Sequence, residues 1–332
     1  MNDNVKSVGL IGGGVIGAGW AARFALNGYH VRIYDPDPRA GARLSGTLDN
    51  AQRAYRSLFN DEEPLAPSIE SVASLSELAG VDLVQESLPE QEALKLDVLA
   101  ETEAAISDRT LMASSTSGLR PSRLQSTLRR PERFAVAHPF NPVYLMPLVE
   151  LCAGEQTAPE TIQKLQRLYT DIGMRPLVVR NEIDGFIADR LMEALWREAL
   201  WLINDDVATA EEIDDAIRFG PGLRWAFMGT FLTYRVAGGD AGMRHFMSQF
   251  GPTLQWPWTK LMDVPDLDET LLAKIVEQSD SQAGSQSIQA LETKRDDCLV
   301  SLLRGLEEQA YGAGETLRAY RQDRRRREID ER

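Results

Sequence analysis

A short apolar run, Ser7-Val8-Gly9-Leu10-Ile11, leads without a break into Gly12-Gly13-Gly14-Val15-Ile16-Gly17, and this junction restricts the chain to few folds. Gly12, Gly14 and Gly17 fit the pattern G-x-G-x-x-G. The first glycine allows a tight turn, and the second lets the backbone approach a pyrophosphate. The third lets the following helix pack on the strand, with its N-terminal amides facing the phosphates. Ala18 to Leu26 is rich in helix formers, and Asn27-Gly28 supplies the stop. His30 to Asp35 reads as a second strand, ending in an acid 18 residues beyond Gly17, where a carboxylate can bind both ribose hydroxyls. Gly12, Gly14, Val15, Ile16, Gly17 and Asp35 are therefore candidate cofactor-binding residues. Asp35 repels a 2′-phosphate, which favours NAD over NADP; Arg39 is near enough to keep NADP open.

Alternation of short apolar strands with amphipathic helices continues through Val81–Glu86, Glu90–Ile106 and Thr110–Ser114. It predicts a parallel, doubly wound sheet whose ligands bind at the carboxyl ends of the strands. Ser117 and His138 are expected just after strands, at that edge. His138 is a candidate general base for a hydroxyl proton, because imidazole titrates near neutrality, and Glu150, twelve residues on, is the carboxylate that would orient it. Ser117 would bond the substrate oxygen, although a turn-forming serine would look the same.

The alternation ends near Arg180. Phe186 to Asn204 reads as one long helix, and Thr209 to Glu212 is a capping-box pattern opening a helix that runs to Gly220. Further helical segments are predicted over Ala241–Phe250, Glu269–Asp280 and about Ser287–Arg327. The expected organisation is an α/β Rossmann-type domain over 1–184 and an all-α substrate and dimerisation domain over 185–332.

The net charge of −14 speaks against nucleic acid as a partner and is compatible with a small cationic or zwitterionic substrate, although acidic surfaces usually serve solubility alone. No apolar run approaches a membrane span, and no metal site is expected from His30, His138 and His245, which lie far apart. Cys152 and Cys298 cannot make a disulfide framework. With the first strand so near Met1, no cleaved signal is expected, and a cytoplasmic location follows.

Ser115-Thr116-Ser117, His138-Pro139-Phe140-Asn141-Pro142, Glu150 and Asp184-Gly185-Phe186-Ile187-Ala188-Asp189-Arg190 resemble the 3-hydroxyacyl-CoA dehydrogenase family over nearly the whole chain. The resemblance implies NAD-dependent oxidation of a 3-hydroxyl group and a homodimer formed through the helical half. It also implies that Glu90, Lys95 and Asn141 contact the cofactor or the catalytic edge. Glu90 and Lys95 would equally serve as solvated helix residues, and Asn before Pro is ordinary turn chemistry.

One departure stands out. Asp189 occupies the position where acyl-CoA enzymes carry asparagine, and an ionised carboxylate cannot donate to a thioester carbonyl. Gly19 to Phe24, Leu223 to Met228 and Gln255 to Thr259 resemble the branch of the family that oxidises carnitine, a small zwitterion. A gulonate-oxidising, lambda-crystallin-like branch is the alternative, and a crystallin-like protein that binds NAD without turnover is a third. Aromatic faces hold quaternary ammonium groups, and Trp196, Trp201, Trp225, Phe227, Phe231 and Tyr234 are available, most of them expected in the core. The substrate candidates are Phe140, Asp189, Trp225 and Tyr234, with Arg190, Arg224 or Arg235 for the carboxylate.

Overall fold

Eight strands form one sheet in the order β3-β2-β1-β4-β5-β6-β7-β8 in the computed structural model. The structure describes residues 6–58, 66–205, 207–225, 228–257, 259, 268–287, 290, 302 and 304–310. The chain divides into two units, Met1–Met192 and Glu193–Arg332.

The first unit holds the sheet: β1 (Ser7–Ile11), β2 (His30–Tyr34), β3 (Ser68–Val72), β4 (Leu83–Glu86), β5 (Leu111–Ser114), β6 (Phe134–Pro139), β7 (Leu148–Ala153) and β8 (Arg175–Val179). The helices α1 (Val15–Leu26), α2 (Ala40–Leu58), α3 (Glu92–Ala105), α4 (Pro121–Leu124) and α5 (Pro159–Asp171) belong to the same unit. Neighbours from β3 through β6 run parallel, as expected of a doubly wound sheet. The far edge departs from a wholly parallel sheet: β7 returns antiparallel to β6, and β8 pairs parallel with β7. This return sets two residues twelve apart opposite each other.

Central strands β4, β5 and β6 are buried along their whole length, apolar where they begin and carrying Gln85, Glu86, Ser114 and His138 toward their carboxyl ends. One core joins Val8, Leu10, Val31 and Leu83 with Trp20 and Phe24 of α1 and Tyr169 of α5. Trp20 stacks on Phe24 at 5.5 Å and meets Tyr169 at 5.3 Å. Truncating a side chain as large as Trp20 there would cost roughly 3–5 kcal/mol. A second core gathers Ile11, Leu78, Leu99, Met112 and Phe134.

Helix α6 (Ala188–Asn204) begins in the first unit and continues into the second. It starts two residues later than the sequence suggests, because Gly185 (φ 73°) and Phe186 (φ 47°) are left-handed and turn the chain before it. The second unit adds α7 (Ala210–Arg218), α8 (Pro221–Trp225), α9 (Thr230–Ala237), α10 (Gly242–Phe250) and α11 (Glu269–Ala283). Thr209 and Glu212 form the expected capping box, with the Thr209 amide donating to Glu212 at 2.8 Å. Helix α7 stops at Arg218, and Pro221 opens the next turn of helix. Phe227, Trp258 and Cys298, together with most of the helix expected over 287–327, lie outside the described residues.

Candidate active site

Gly12 takes φ 93°, and a Cβ on it would sit 2.6 Å from the Ser87 carbonyl oxygen. On Gly17 a Cβ would fall 1.8 Å from the Gly12 oxygen, so helix and turn touch backbone to backbone. A Cβ on Gly14 would meet nothing within 4 Å. Gly14 caps α1, whose first amides have no partner within the helix. Val15 is exposed, while Ile16 packs against the core. The turn is thus an open cradle lined by backbone donors, which fits a pyrophosphate.

Beyond β2, Asp35 accepts from the Gly13 amide at 2.6 Å and from the Asp37 amide at 2.7 Å. Its position beside the cradle fits a ribose. Arg39, expected to be available there, is turned onto Asp37. Arg43 was not singled out by the sequence, yet it approaches both Asp35 (3.7 Å) and the Gly13 oxygen (3.3 Å).

Lys95 is only 1 % exposed; its Nζ donates to Glu86 at 2.8 Å and to the Leu88 carbonyl at 3.0 Å, and lies 3.4 Å from Glu90. It is a buried structural cation rather than a solvated helix residue. Glu90 accepts from the Thr116 hydroxyl and from the Gly118 amide at 3.2 Å. It therefore ties the segment carrying Ser117, itself exposed three residues beyond β5, to the end of β4. Ser115 bonds Trp20 at 3.0 Å, Gln85 at 2.7 Å and Ser87 at 3.0 Å.

His138 lies within β6, one residue from its end, rather than after the strand as expected; the apolar run simply continues through it. Its register partner across the antiparallel pair is Glu150. Both are buried, with Nδ1 of the imidazole 3.0 Å from Oε2 of the carboxylate. Oε1 of Glu150 accepts from the Ile187 and Ala188 amides, at 3.0 and 2.9 Å. One carboxylate thus fixes the imidazole and caps the N-terminus of α6. Asp189, in the first turn of α6, brings Oδ2 to 3.6 Å from Nε2 of His138. Phe140 and Phe186 flank the ring at 4.8 and 5.7 Å. Asn141 is exposed and precedes Pro142 through a cis bond.

Arg23 holds the loop that follows. Its buried guanidinium donates to the carbonyls of Val143 (2.6 Å), Met146 (3.0 Å) and Ile172 (2.8 Å). Burial depresses its pKa, with the nearby Tyr55 acting weakly the other way. Gly19 permits this approach, since a Cβ there would meet Val143 at 2.9 Å. On the other side, Arg120 grips Asp184 through two bonds, 3.0 and 2.6 Å, joining the segment after Ser117 to the turn before α6. Trp225 and Tyr234 belong to the second unit and, like Trp196, Trp201 and Phe231, are exposed rather than in the core as expected; Tyr234 stacks on Phe246 at 4.5 Å.

The arrangement offers a dinucleotide cradle and, at the edge of the same sheet, a base whose second ring nitrogen faces Asp189 at 3.6 Å. Residues 7–183 match the NAD-binding domain of 3-hydroxyacyl-CoA dehydrogenase, and residues 185–271 match its C-terminal domain. The chain belongs to the 3-hydroxyacyl-CoA dehydrogenase family. It is an oxidoreductase of that superfamily, whose chemistry is NAD-dependent oxidation of 3-hydroxy acids and their acyl-CoA thioesters. Among its relatives, L-carnitine dehydrogenase of Pseudomonas aeruginosa is 53% identical over 92% of this chain and 95% of its own length. The Mesorhizobium japonicum L-carnitine dehydrogenase is 51% identical over 93% of this chain and 86% of its own. A Rhizobium meliloti L-carnitine dehydrogenase/betainyl-CoA thioesterase is 50% identical over 94% of this chain, which spans 64% of that longer protein. The solved structure of an NAD-dependent 5-formyl-3-hydroxy-2-methylpyridine 4-carboxylic acid 5-dehydrogenase superimposes with a TM-score of 0.72 at 29% identity, covering 92% of this chain and 99% of that one.

Proposed function

We propose that the chain oxidises L-carnitine to 3-dehydrocarnitine with NAD as the acceptor. The observation that carries this reading is the near full-length similarity to the L-carnitine dehydrogenases of Pseudomonas and Mesorhizobium. Gly12, Gly14, Val15, Ile16, Gly17 and Asp35 would hold NAD, which when bound supplies the hydride acceptor.

The chain's own groups do the proton chemistry. With Nδ1–H donated to Glu150, the lone pair of His138 is on Nε2, the atom that takes the C3 hydroxyl proton as the C3–H electron pair departs with the hydride. The imidazolium that results is stabilised by Glu150 on one side and by Asp189 on the other. Ser117 bonds the substrate oxygen. Asp189 also places negative charge where a cationic substrate is attracted and where a thioester finds no donor.

A second copy of the chain is the proposed partner. Helix α6 leaves Leu191, Met192, Leu195, Trp196, Leu200 and Trp201 exposed, an apolar surface of the kind that association covers.

Initial rates of NAD reduction with L-carnitine, L-gulonate and 3-hydroxybutyryl-CoA test the substrate. Carnitine should be preferred by a wide margin. Efficient gulonate oxidation without carnitine turnover would overturn the assignment and leave the dehydrogenase chemistry intact.

A further inference from the structure

Four bonds converge on the carboxylate of Asp37, two residues beyond the acid that ends β2. The Arg39 amide donates to Oδ1 at 2.9 Å and the Arg39 Nε to the same oxygen at 3.1 Å. Arg39 Nη2 reaches Oδ2 at 3.1 Å, and Arg43 Nη1 reaches it at 2.8 Å. Both guanidinium groups are therefore engaged by the Asp37 carboxylate, Arg43 through its shortest contact. They border Asp35, the candidate ribose acid, and the glycine turn: Arg43 also approaches Asp35 and the Gly13 carbonyl, and Asp37 donates its amide to Asp35. A planar guanidinium pair at that place is the equipment for a 2′-phosphate, whose oxygens match its donors two at a time. Here the equipment is present but already engaged.

We propose that Asp37 is a specificity-determining residue for the cofactor, an internal anion that occupies Arg39 and Arg43 and so withholds them from the 2′-phosphate of NADP. The inference rests on the placement of NAD at the glycine turn. Asp35 and Asp37 then divide the discrimination between them: Asp35 repels the phosphate, and Asp37 removes the cations that would compensate. Replacing Asp35 alone leaves both arginines engaged. The same four contacts hold the Asp37 carboxyl far below the ordinary carboxylate range, the Arg39 side chain contributing most, so the mask stays charged at any working pH.

Equilibrium binding of NAD and NADP, followed by titration calorimetry, tests the division. Asp35→Ser is compared with Asp35→Ser/Asp37→Ala and Asp35→Ser/Asp37→Asn. In the Asp35→Ser background, Asp37→Ala should tighten NADP by about tenfold or more, while NAD changes by less than about threefold. The gain should fall as salt rises, since Arg39 is 82 % exposed, and should vanish when Arg39 and Arg43 are both alanine. Asp37→Asn, which keeps the side-chain volume and removes the charge, should give the same direction with a smaller gain. An unchanged NADP affinity, or equal tightening of both dinucleotides, would overturn the proposal. Failure of the unmodified chain to bind NAD would remove the placement at the glycine turn and this inference with it.

Discussion

His138 and Glu150 are register partners on antiparallel strands, and Nδ1 of the one lies 3.0 Å from Oε2 of the other while Oε1 caps α6. The imidazole is thereby fixed in one tautomer by a residue that is itself fixed by a helix terminus.

His138→Asn should lower kcat by roughly two to four orders of magnitude, because an amide has no basic nitrogen at the position of Nε2. The affinity for NAD should change little, since the glycine turn lies on β1 and α1, strands away from β6. Turnover near that of the unmodified enzyme at saturating substrate would remove the mechanism.

Glu150→Gln separates orientation from charge. The amide oxygen can still accept from Ile187 and Ala188, but its NH2 would then face Nδ1 of His138. That reverses the tautomer and puts the proton on Nε2, where the lone pair is needed. We expect kcat to fall by about 10²–10⁴-fold with the thermal midpoint moved by only a few degrees. Equal loss of activity and of fold, seen by circular dichroism, would show that Glu150 acts through stability alone.

The part of this site that is legible in the sequence is the part built by local geometry. Gly12, Gly14, Gly17 and Asp35 declare themselves because turn, helix and strand end follow one another within one βαβ unit. The twelve-residue interval between His138 and Glu150 gave no hint that β7 returns antiparallel, because a hairpin and a crossover both leave such an interval. Glu150 as a helix cap was invisible because the amides that donate to it lie 37 and 38 residues on. Arg23 was hidden more completely, since it binds backbone carbonyls, which no side-chain pattern records. Gly19 to Phe24 stood out by resemblance, yet only the structure shows what Gly19 and Arg23 do there. For Lys95 the sequence left a cofactor contact and a solvated helix residue both open, and its burial was hidden because its carboxylate partner comes from β4.

Arg23→Met keeps much of the stem and removes the donors. The buried carbonyls of Val143 and Ile172 would be left without this partner, and the more accessible Met146 carbonyl would lose it too, so unfolding in urea should show a loss of about 2–4 kcal/mol. A loss below about 1 kcal/mol would mean that the loop relaxes or water takes over the carbonyls.

Stability should fall on the alkaline side through two buried groups. Burial pushes the Cys152 thiol from 9.0 up to about 12, with Glu182 and Glu150 adding to the shift, and burial also raises the Tyr169 phenol. The folded state keeps protons that the unfolded chain gives up, so the contribution of Cys152 is complete below pH 9.0 and is lost as pH rises toward about 12. Urea midpoints should therefore decline through that window, and Cys152→Ala should flatten the decline. An identical slope in the variant would show that the thiol does not carry it.

Transfer of label from substrate to cofactor decides the central claim. L-carnitine deuterated at C3 is incubated with the enzyme and NAD, and the reduced cofactor is examined by mass spectrometry. Reduced cofactor should carry the deuterium, formed by the unmodified enzyme and suppressed in His138→Asn. Reduced cofactor without deuterium, or no reduction at all from carnitine, would contradict it.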